Sequence, residues 1–584
     1  MSAVPILAVR SSSGICVWSN NNGNSEDGNY SECQDFDKEV NKSCKAMVFS
    51  PNGKYFAWTN STNVKVCCTS DWKLKVEIPR TKVLDLKFSP KDTYLMTYEI
   101  YATNKTNPQG FNNLNVFLVE TGELVMSFVQ KKQTEWEPEW SGDESIMALM
   151  NGGELFIYEM DKCEFGTSWD GKPTKKIGGG RNGRISISPS NTTTTLAFYV
   201  PGAQAQPSTC KLFAYPNISQ PVASKSFFQA DRVDFLWNNR GTNLLLLTAT
   251  DVDQTGASYY GKQSLQYMSC KGDTAMVQLS KEGSVHAVAW SPKNIEFCVV
   301  YGHMPAKATL FNLNCEPVFE FGTGPRNSIY YNQLGNMLIL AGFGNLSGRI
   351  EVWDAQGRKQ LGTTEAPCTT LLEWSPTGLV FVTATTAPRL RMSNGFKIWH
   401  YTCVLLHETM WPTGEELLSV CWQTFPRGTF KESVLNNTKV QGIQPSQPIA
   451  SKQAYRPPSA RDRVAPVKFH TEEAPGIPGS GPPSKAAIKL KKKREAKKAK
   501  KANEGDGEQP TSRERTVKQI SEVNSKPTTG DAEVDKKIKN IMKKLDAIEK
   551  LKQQQSEGKP LEINQIAKIK TEQDLLKELQ TLKI

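Results

Sequence analysis

Several hallmarks of catalysis and membrane residence are absent from this 584-residue chain. Only five histidines occur, His286, His303, His400, His407 and His470, and none pairs at helical ligand spacing or sits beside a cysteine cluster. No bound metal is expected. No Walker-type Gly-Lys-Ser/Thr occurs, so nucleotide hydrolysis has no support. Gly178-Gly-Gly-Arg-Asn-Gly183 matches a dinucleotide fingerprint only formally. It precedes the strand-like Ile185-Ser-Ile187 rather than a helix, and reads as a loop. No carboxylates fall into a recognisable acid/base pair. The expectation is no enzyme, no catalytic residues and no cofactor.

No apolar run approaches 18 residues, so no membrane span is expected. The opening Met-Ser-Ala-Val-Pro-Ile-Leu-Ala-Val has neither a basic leader nor an adequate apolar core, and no secretory signal is expected. The thirteen cysteines include no C-x-x-C, and read as reduced, small apolar residues. Aromatic residues vanish after residue 483.

What is present is a repeat. Strands ending in an aromatic or large apolar residue recur as Ala46-Met-Val-Phe49-Ser-Pro, Leu86-Lys-Phe88-Ser-Pro, Pro138-Glu-Trp140-Ser, Ile185-Ser-Ile187-Ser-Pro and Asp234-Phe-Leu-Trp237. They continue as Val288-Ala-Trp290-Ser-Pro, Ile329-Tyr-Tyr331, Leu372-Glu-Trp374-Ser-Pro and Val420-Cys-Trp422. Eight gaps cover the 373 residues from Phe49 to Trp422, a mean period of about 47, which marks a β-propeller. Nine alternating segments accompany the anchors: Ile15–Trp18, Val64–Val66, Leu114–Val116, Leu155–Ile157, Lys211–Phe213, Leu265–Tyr267, Thr309–Phe311, Ile350–Val352 and Phe396–Ile398. Their period of two predicts strands, here read as the outer strands of the blades. The first segment precedes the first anchor and the last anchor has none after it. The N-terminal strand is therefore predicted to complete the blade begun near Trp422, closing the ring. The fold class is mainly β: a nine-bladed propeller, or eight blades plus an irregular unit, followed by a linker and C-terminal helices.

Composition divides the chain further. Residues 1–441 form the propeller; 442–483, crowded with Pro, Gly and Ser, a disordered linker; 484–502 a basic helix; 503–530 a flexible polar segment; and 531–584 an amphipathic helical hairpin. Residues 484–584 hold 26 Lys/Arg against 16 Asp/Glu and the linker adds five against three, leaving 40 against 40 in the propeller. The tail thus carries essentially all of the +12 net charge, which points to an anionic partner. Ten basic residues and one acid occupy 484–501, among them Lys489, Lys491, Lys492, Lys493, Arg494, Lys497, Lys498, Lys500 and Lys501. These suit RNA phosphates; a solvated helix or a nuclear address are the alternatives. Farther on, Val534, Ile538, Ile541, Leu545 and Ile548 form a narrow helical seam, with Lys536, Lys537, Lys543 and Lys544 on the outer face. The seam either docks a partner or closes the hairpin on itself.

One stretch is distinctive: Tyr301-Gly-His-Met-Pro-Ala-Lys-Ala-Thr-Leu-Phe-Asn-Leu, then Glu320-Phe-Gly-Thr-Gly-Pro-Arg-Asn, then Leu340-Ala-Gly-Phe-Gly-Asn-Leu-Ser-Gly-Arg-Ile-Glu-Val-Trp-Asp354. It resembles the single-chain eukaryotic translation initiation factor 2A family, and the resemblance extends through propeller, linker, basic helix and terminal helices. The propeller is also similar to that of the b subunit of initiation factor three. The end from Val534 resembles the ribosome-associating end of a small Mago-binding protein. The resemblance implies a cytoplasmic, monomeric, non-enzymatic factor. Its implied partners are the small ribosomal subunit, initiator methionyl-tRNA, mRNA and other initiation factors. Its implied role is codon-dependent, GTP-independent tRNA binding on selected messages with non-AUG, internal-entry or stress-related starts. The rival reading is a propeller scaffold for protein complexes with a solvating tail.

Overall fold

A computed structural model describes residues 4–446, apart from 21–22, 24–26, 152, 162–170, 179–182, 203–205, 229, 251–260, 262, 434 and 436–439; beyond 446 it describes only Leu545, Ile548, Glu572 and Gln573. The chain divides into two units, 1–455 and 456–584.

The first unit is a nine-bladed β-propeller in which every blade is a four-stranded antiparallel sheet. Blades 1 to 8 span 47–78, 83–128, 139–178, 184–227, 232–276, 285–324, 328–365 and 371–410, in chain order. Blade 9 is composite. Its innermost strand is Leu417–Trp422, and its other three are Leu7–Ser11, Gly14–Asn20 and Tyr30–Glu32. Leu7 pairs with Trp422 on one side and Trp18 on the other. The predicted closure of the ring is therefore observed.

The nine aromatic or apolar anchors end the innermost strands. Within a blade each packs on the second strand, as where Trp290 meets Phe297 edge-on at 5.2 Å and Trp374 meets Phe381 at 5.4 Å. Two anchor indoles also reach back to the preceding blade, Trp290 donating to the Leu236 carbonyl at 2.7 Å and Trp374 to that of Tyr330 at 3.0 Å. The nine alternating segments differ from expectation. They are the third strand of each sheet, and a fourth lies outside them. That fourth strand is half-solvated, as in Leu74–Ile78 and Lys359–Glu365, and so lacks a hydrophobic signal.

The serine after the anchor has a defined task. Ser50, Ser89, Ser141 and Ser188 each accept, on the side-chain oxygen, the amide that starts the second strand, at 2.8–3.1 Å. Successive turns are chained by a left-handed residue. Asp92 accepts the Ser50 hydroxyl and the Asn52 amide, Glu144 accepts the Lys91 amide, and Asn294 accepts the Arg240 amide. All three have φ between 62° and 68°.

The core lies between blades rather than within one. Phe56, Trp58, Ile15 and Val17 cluster across blades 9 and 1, and Val380, Phe396, Leu7 and Trp422 across blades 8 and 9. Burying each large apolar side chain contributes roughly 1.5–3 kcal/mol, so each blade depends on both neighbours. Truncating the chain after residue 412 leaves blade 8 whole and removes the strand that closes blade 9. The fragment is expected to self-associate through the exposed Leu7–Ser11 edge; a monomeric fragment with one cooperative melt, by gel filtration and calorimetry, would contradict this.

Candidate functional site

The innermost strands surround a central channel, and two cavities of about 320 and about 490 Å³ open along it on the side of blades 1 to 5. Both are lined by Glu139. Glu137, Glu139 and Asp234 line this region together with Lys87, Lys91 and Arg184, so carboxylates and cations balance, and Asp85 lies near Glu137. Lys87 is paired with Glu137. Burial, aided by Glu137, raises the Asp85 carboxyl above its ordinary value; burial likewise raises Glu139.

Two of these repeats carry Glu immediately before the anchor Trp, and both glutamates act as clips. Glu139 accepts the Ile187 amide of blade 4 at 3.3 Å, and Glu373 accepts the Trp422 amide of blade 9 at 3.2 Å. Glu373 is half-buried with its carboxylate turned onto that amide. Burial pushes it up to about 7, against a weaker lowering by the amide.

The distinctive stretch read from the sequence builds a buried ion pair. Arg326 donates to Glu351 at 2.6 Å and to the carbonyls of Phe321 and Gly322 at 3.1 and 3.3 Å. Arg349 meets the other Glu351 oxygen at 3.0 Å. This pins the loop entering blade 7 to that blade's third strand, a structural role.

A strap after the last strand was not legible in the sequence. The Gln423 amide donates to Ile6 at 2.7 Å, and its side chain to Gly53 at 2.9 Å in the inner turn of blade 1. The Phe425 carbonyl accepts from Gln333 of blade 7 at 2.8 Å, and Glu432 meets Lys293 of blade 6 at 3.1 Å. The strap therefore crosses the channel mouth on the side of the serine turns. It ends along blade 8, where Ile443 donates to Leu405 and Ser446 to Glu408. Residues 442–446, the start of the expected linker, thus lie against the ring.

The tail residues expected to bind RNA, Lys489, Lys491–Lys493, Arg494, Lys497, Lys498, Lys500 and Lys501, lie outside the described residues, as do Lys536, Lys537, Ile538, Ile541, Lys543 and Lys544. Leu545 and Ile548 are helical, and Ile548 is 4% exposed, as a seam position requires. The described histidines serve the fold: His286 bonds to the Gly302 carbonyl, His400 to Thr402 and His407 to Thr409. Among the described residues no cluster of His, Cys, Asp or Glu could hold a metal, and no helix is long and apolar enough to cross a membrane. Gly178 ends a strand and Arg184–Ile187 is another, so no helix follows the glycine-rich stretch; 179–182 lie outside the described residues.

A protein named eukaryotic translation initiation factor 2A from Drosophila melanogaster is 44% identical over 99% of this chain and 98% of its own length. The chain belongs to the eukaryotic translation initiation factor 2A family. Its role is in translation initiation. The family model described as eukaryotic translation initiation factor eIF2A matches residues 225–420, and that of the factor 2A C-terminal domain matches 536–582. A solved structure titled "Crystal structure of the eukaryotic initiation factor" superposes with a TM-score of 0.64 at 31% identity, covering 73% of this chain and all of that one. The B component of eukaryotic translation initiation factor 3 from Dictyostelium discoideum is 23% identical over 70% of this chain and 60% of its own length. The first family match covers all of the Arg326–Glu351 region and stops within the strand that closes the ring.

Two outcomes follow from the buried charges. Because the folded Glu373 carboxyl titrates near 7 and the unfolded one near 4.5, its contribution to stability is full below about 4.5 and is lost as pH rises through 7. Glu373→Gln should remove up to about 3 kcal/mol of that decline; denaturant melts of both forms at pH 5 and pH 8 would expose an unchanged slope. Glu351→Ala leaves Arg326 buried and should cost about 3–5 kcal/mol, whereas Arg326→Met combined with Glu351→Leu should recover most of it in the same assay.

Proposed function

We propose that this chain binds the small ribosomal subunit and promotes codon-dependent, GTP-independent binding of initiator methionyl-tRNA on selected mRNAs, including those with non-AUG, internal-entry or stress-related starts. The observation that carries this reading is end-to-end membership of the factor 2A family, including the C-terminal match at 536–582. It is supported by the placement of charge. The propeller is balanced in charge, while ten cations crowd 484–501. No covalent step is part of this role; the factor works by binding, as a monomer, alongside other initiation factors in the cytoplasm.

In this reading the basic helix grips rRNA or tRNA phosphates and the apolar seam around Leu545 and Ile548 docks a protein partner. Replacing Lys491, Lys492, Lys493, Arg494, Lys497 and Lys498 with Ala should weaken binding to the small ribosomal particle and lower the salt slope of log affinity by roughly 0.7–0.9 for each phosphate no longer neutralised. The melting of the propeller should not change. Sedimentation of the full chain with isolated small subunits, with and without initiator tRNA, tests the whole reading. Failure to co-sediment at near-physiological salt would favour a scaffold for protein complexes instead.

A further inference from the structure

The balanced charge of the propeller conceals one local imbalance. Three loops meet at one end of blade 2, on the side away from the strap: 79–82, 100–113 and 129–134. Together they hold Arg80, Lys82, Lys105, Lys131 and Lys132; Glu99 immediately precedes the second loop and Glu135 follows the third. The loops are physically joined. Arg80 donates to Asn115 at 3.2 Å and lies 3.9 Å from Glu99, the residue preceding the long loop. Asn113 donates to the carbonyls of Glu99 and Gln130, at 2.8 and 2.9 Å. Glu99 is neighboured by Arg80 and Lys82, yet burial still raises its carboxyl above the ordinary value. Lys82, Lys105 and Lys131 are exposed; Glu99 neighbours Lys82, whereas Lys105 and Lys131 form no ion pair among the described residues.

Aromatic rings stand among these cations. Phe111 is 47% exposed, and Tyr101 is half-buried with the Lys131 amine 6.0 Å from its ring centre. The Tyr101 ring rests on Gly110, where φ is +97° and an added Cβ would lie 2.2 Å from the ring, so only glycine fits. The long loop is rigidified from within. Asn104 accepts the Thr106 hydroxyl at 2.8 Å and the Asn107 amide at 2.6 Å, and Asn107 donates to the Gly110 carbonyl at 2.8 Å. An exposed Phe on a soluble surface is otherwise a liability. Here it is held by its backbone, the Phe111 amide donating to the Ala102 carbonyl at 3.1 Å, in the loop that carries Lys105.

We propose that this end of blade 2 is a binding surface for single-stranded RNA, with Lys82, Lys105 and Lys131 on the phosphates and Phe111 and Tyr101 stacking bases. Cations tracking a backbone beside aromatic platforms are the chemistry of sequence-tolerant single-strand recognition. A purely acidic protein segment would leave the two rings without a use, and a duplex would hide its bases from them. The surface is independent of the basic tail, so either can fail without the other.

The test uses the full chain carrying the six tail alanines given above, so that the propeller's share is read directly. The probe is a fluorescein-labelled, mixed-sequence RNA of roughly 12 nucleotides, followed by anisotropy across a salt series. Changing Lys82, Lys105 and Lys131 together to Ala should weaken binding at least about tenfold and lower the salt slope by about 2 units. Phe111→Ala and Tyr101→Leu should each weaken it about fivefold or more, with the melting temperature retained. The equivalent triple change at Lys211, Lys271 and Lys359 should leave affinity and slope unaltered. Unchanged binding by the first triple variant overturns the proposal. So does a duplex of the same sequence, or poly-glutamate, binding as tightly as the single strand.

Discussion

The pairing of Leu7–Ser11 with Leu417–Trp422 joins the two ends of the ring across about 410 residues of chain. A propeller blade cannot bury its faces alone, since the apolar layers lie between blades. Opening one seam therefore removes a neighbour from two blades and leaves strand edges unpaired. Side chains reinforce the joint: Arg10 donates to the Ser419 hydroxyl at 3.1 Å, and the Ser12 hydroxyl accepts the Glu416 amide at 2.9 Å. Gln423 then continues onto Ile6, so the strap begins where the joint ends. The order of the remaining blades, the position of the channel mouth and the departure point of the tail all follow from this one contact.

Legibility in the sequence followed the depth of burial. The innermost and third strands were visible because an anchor at a fixed period and a clean alternation both come from side chains facing an apolar layer. The half-solvated fourth strands, such as Lys359–Glu365, gave no such signal. The strap was invisible for a different reason. Its principal contacts include backbone amides, as at Gln423 and Ile443, which any residue but proline can donate, and the Phe425 carbonyl, which any residue can offer. The distinctive stretch around Arg326 and Glu351 marked the family, but its residues serve a buried ion pair rather than a surface.

Charge was legible as a sum and misleading as a map. Forty cations and forty anions in 1–441 suggest a featureless surface. In three dimensions five cations, Arg80, Lys82, Lys105, Lys131 and Lys132, gather at one end of blade 2, with Glu99 beside two of them. No linear window reveals this, because residues 79–82, 100–113 and 129–134 converge only when blade 2 is wound.

The composite blade also sets a schedule for synthesis. Leu7–Asn20 leaves the ribosome early, and its inner partner Leu417–Trp422 is made about 400 residues later. At roughly 5–20 residues per second this is an interval of about 20–80 s. Through that time one edge of the N-terminal sheet has no partner, while eight complete blades accumulate behind it. A nascent chain of this protein is thus an open arc for most of its production. It becomes a ring only once Leu417–Trp422 has been made.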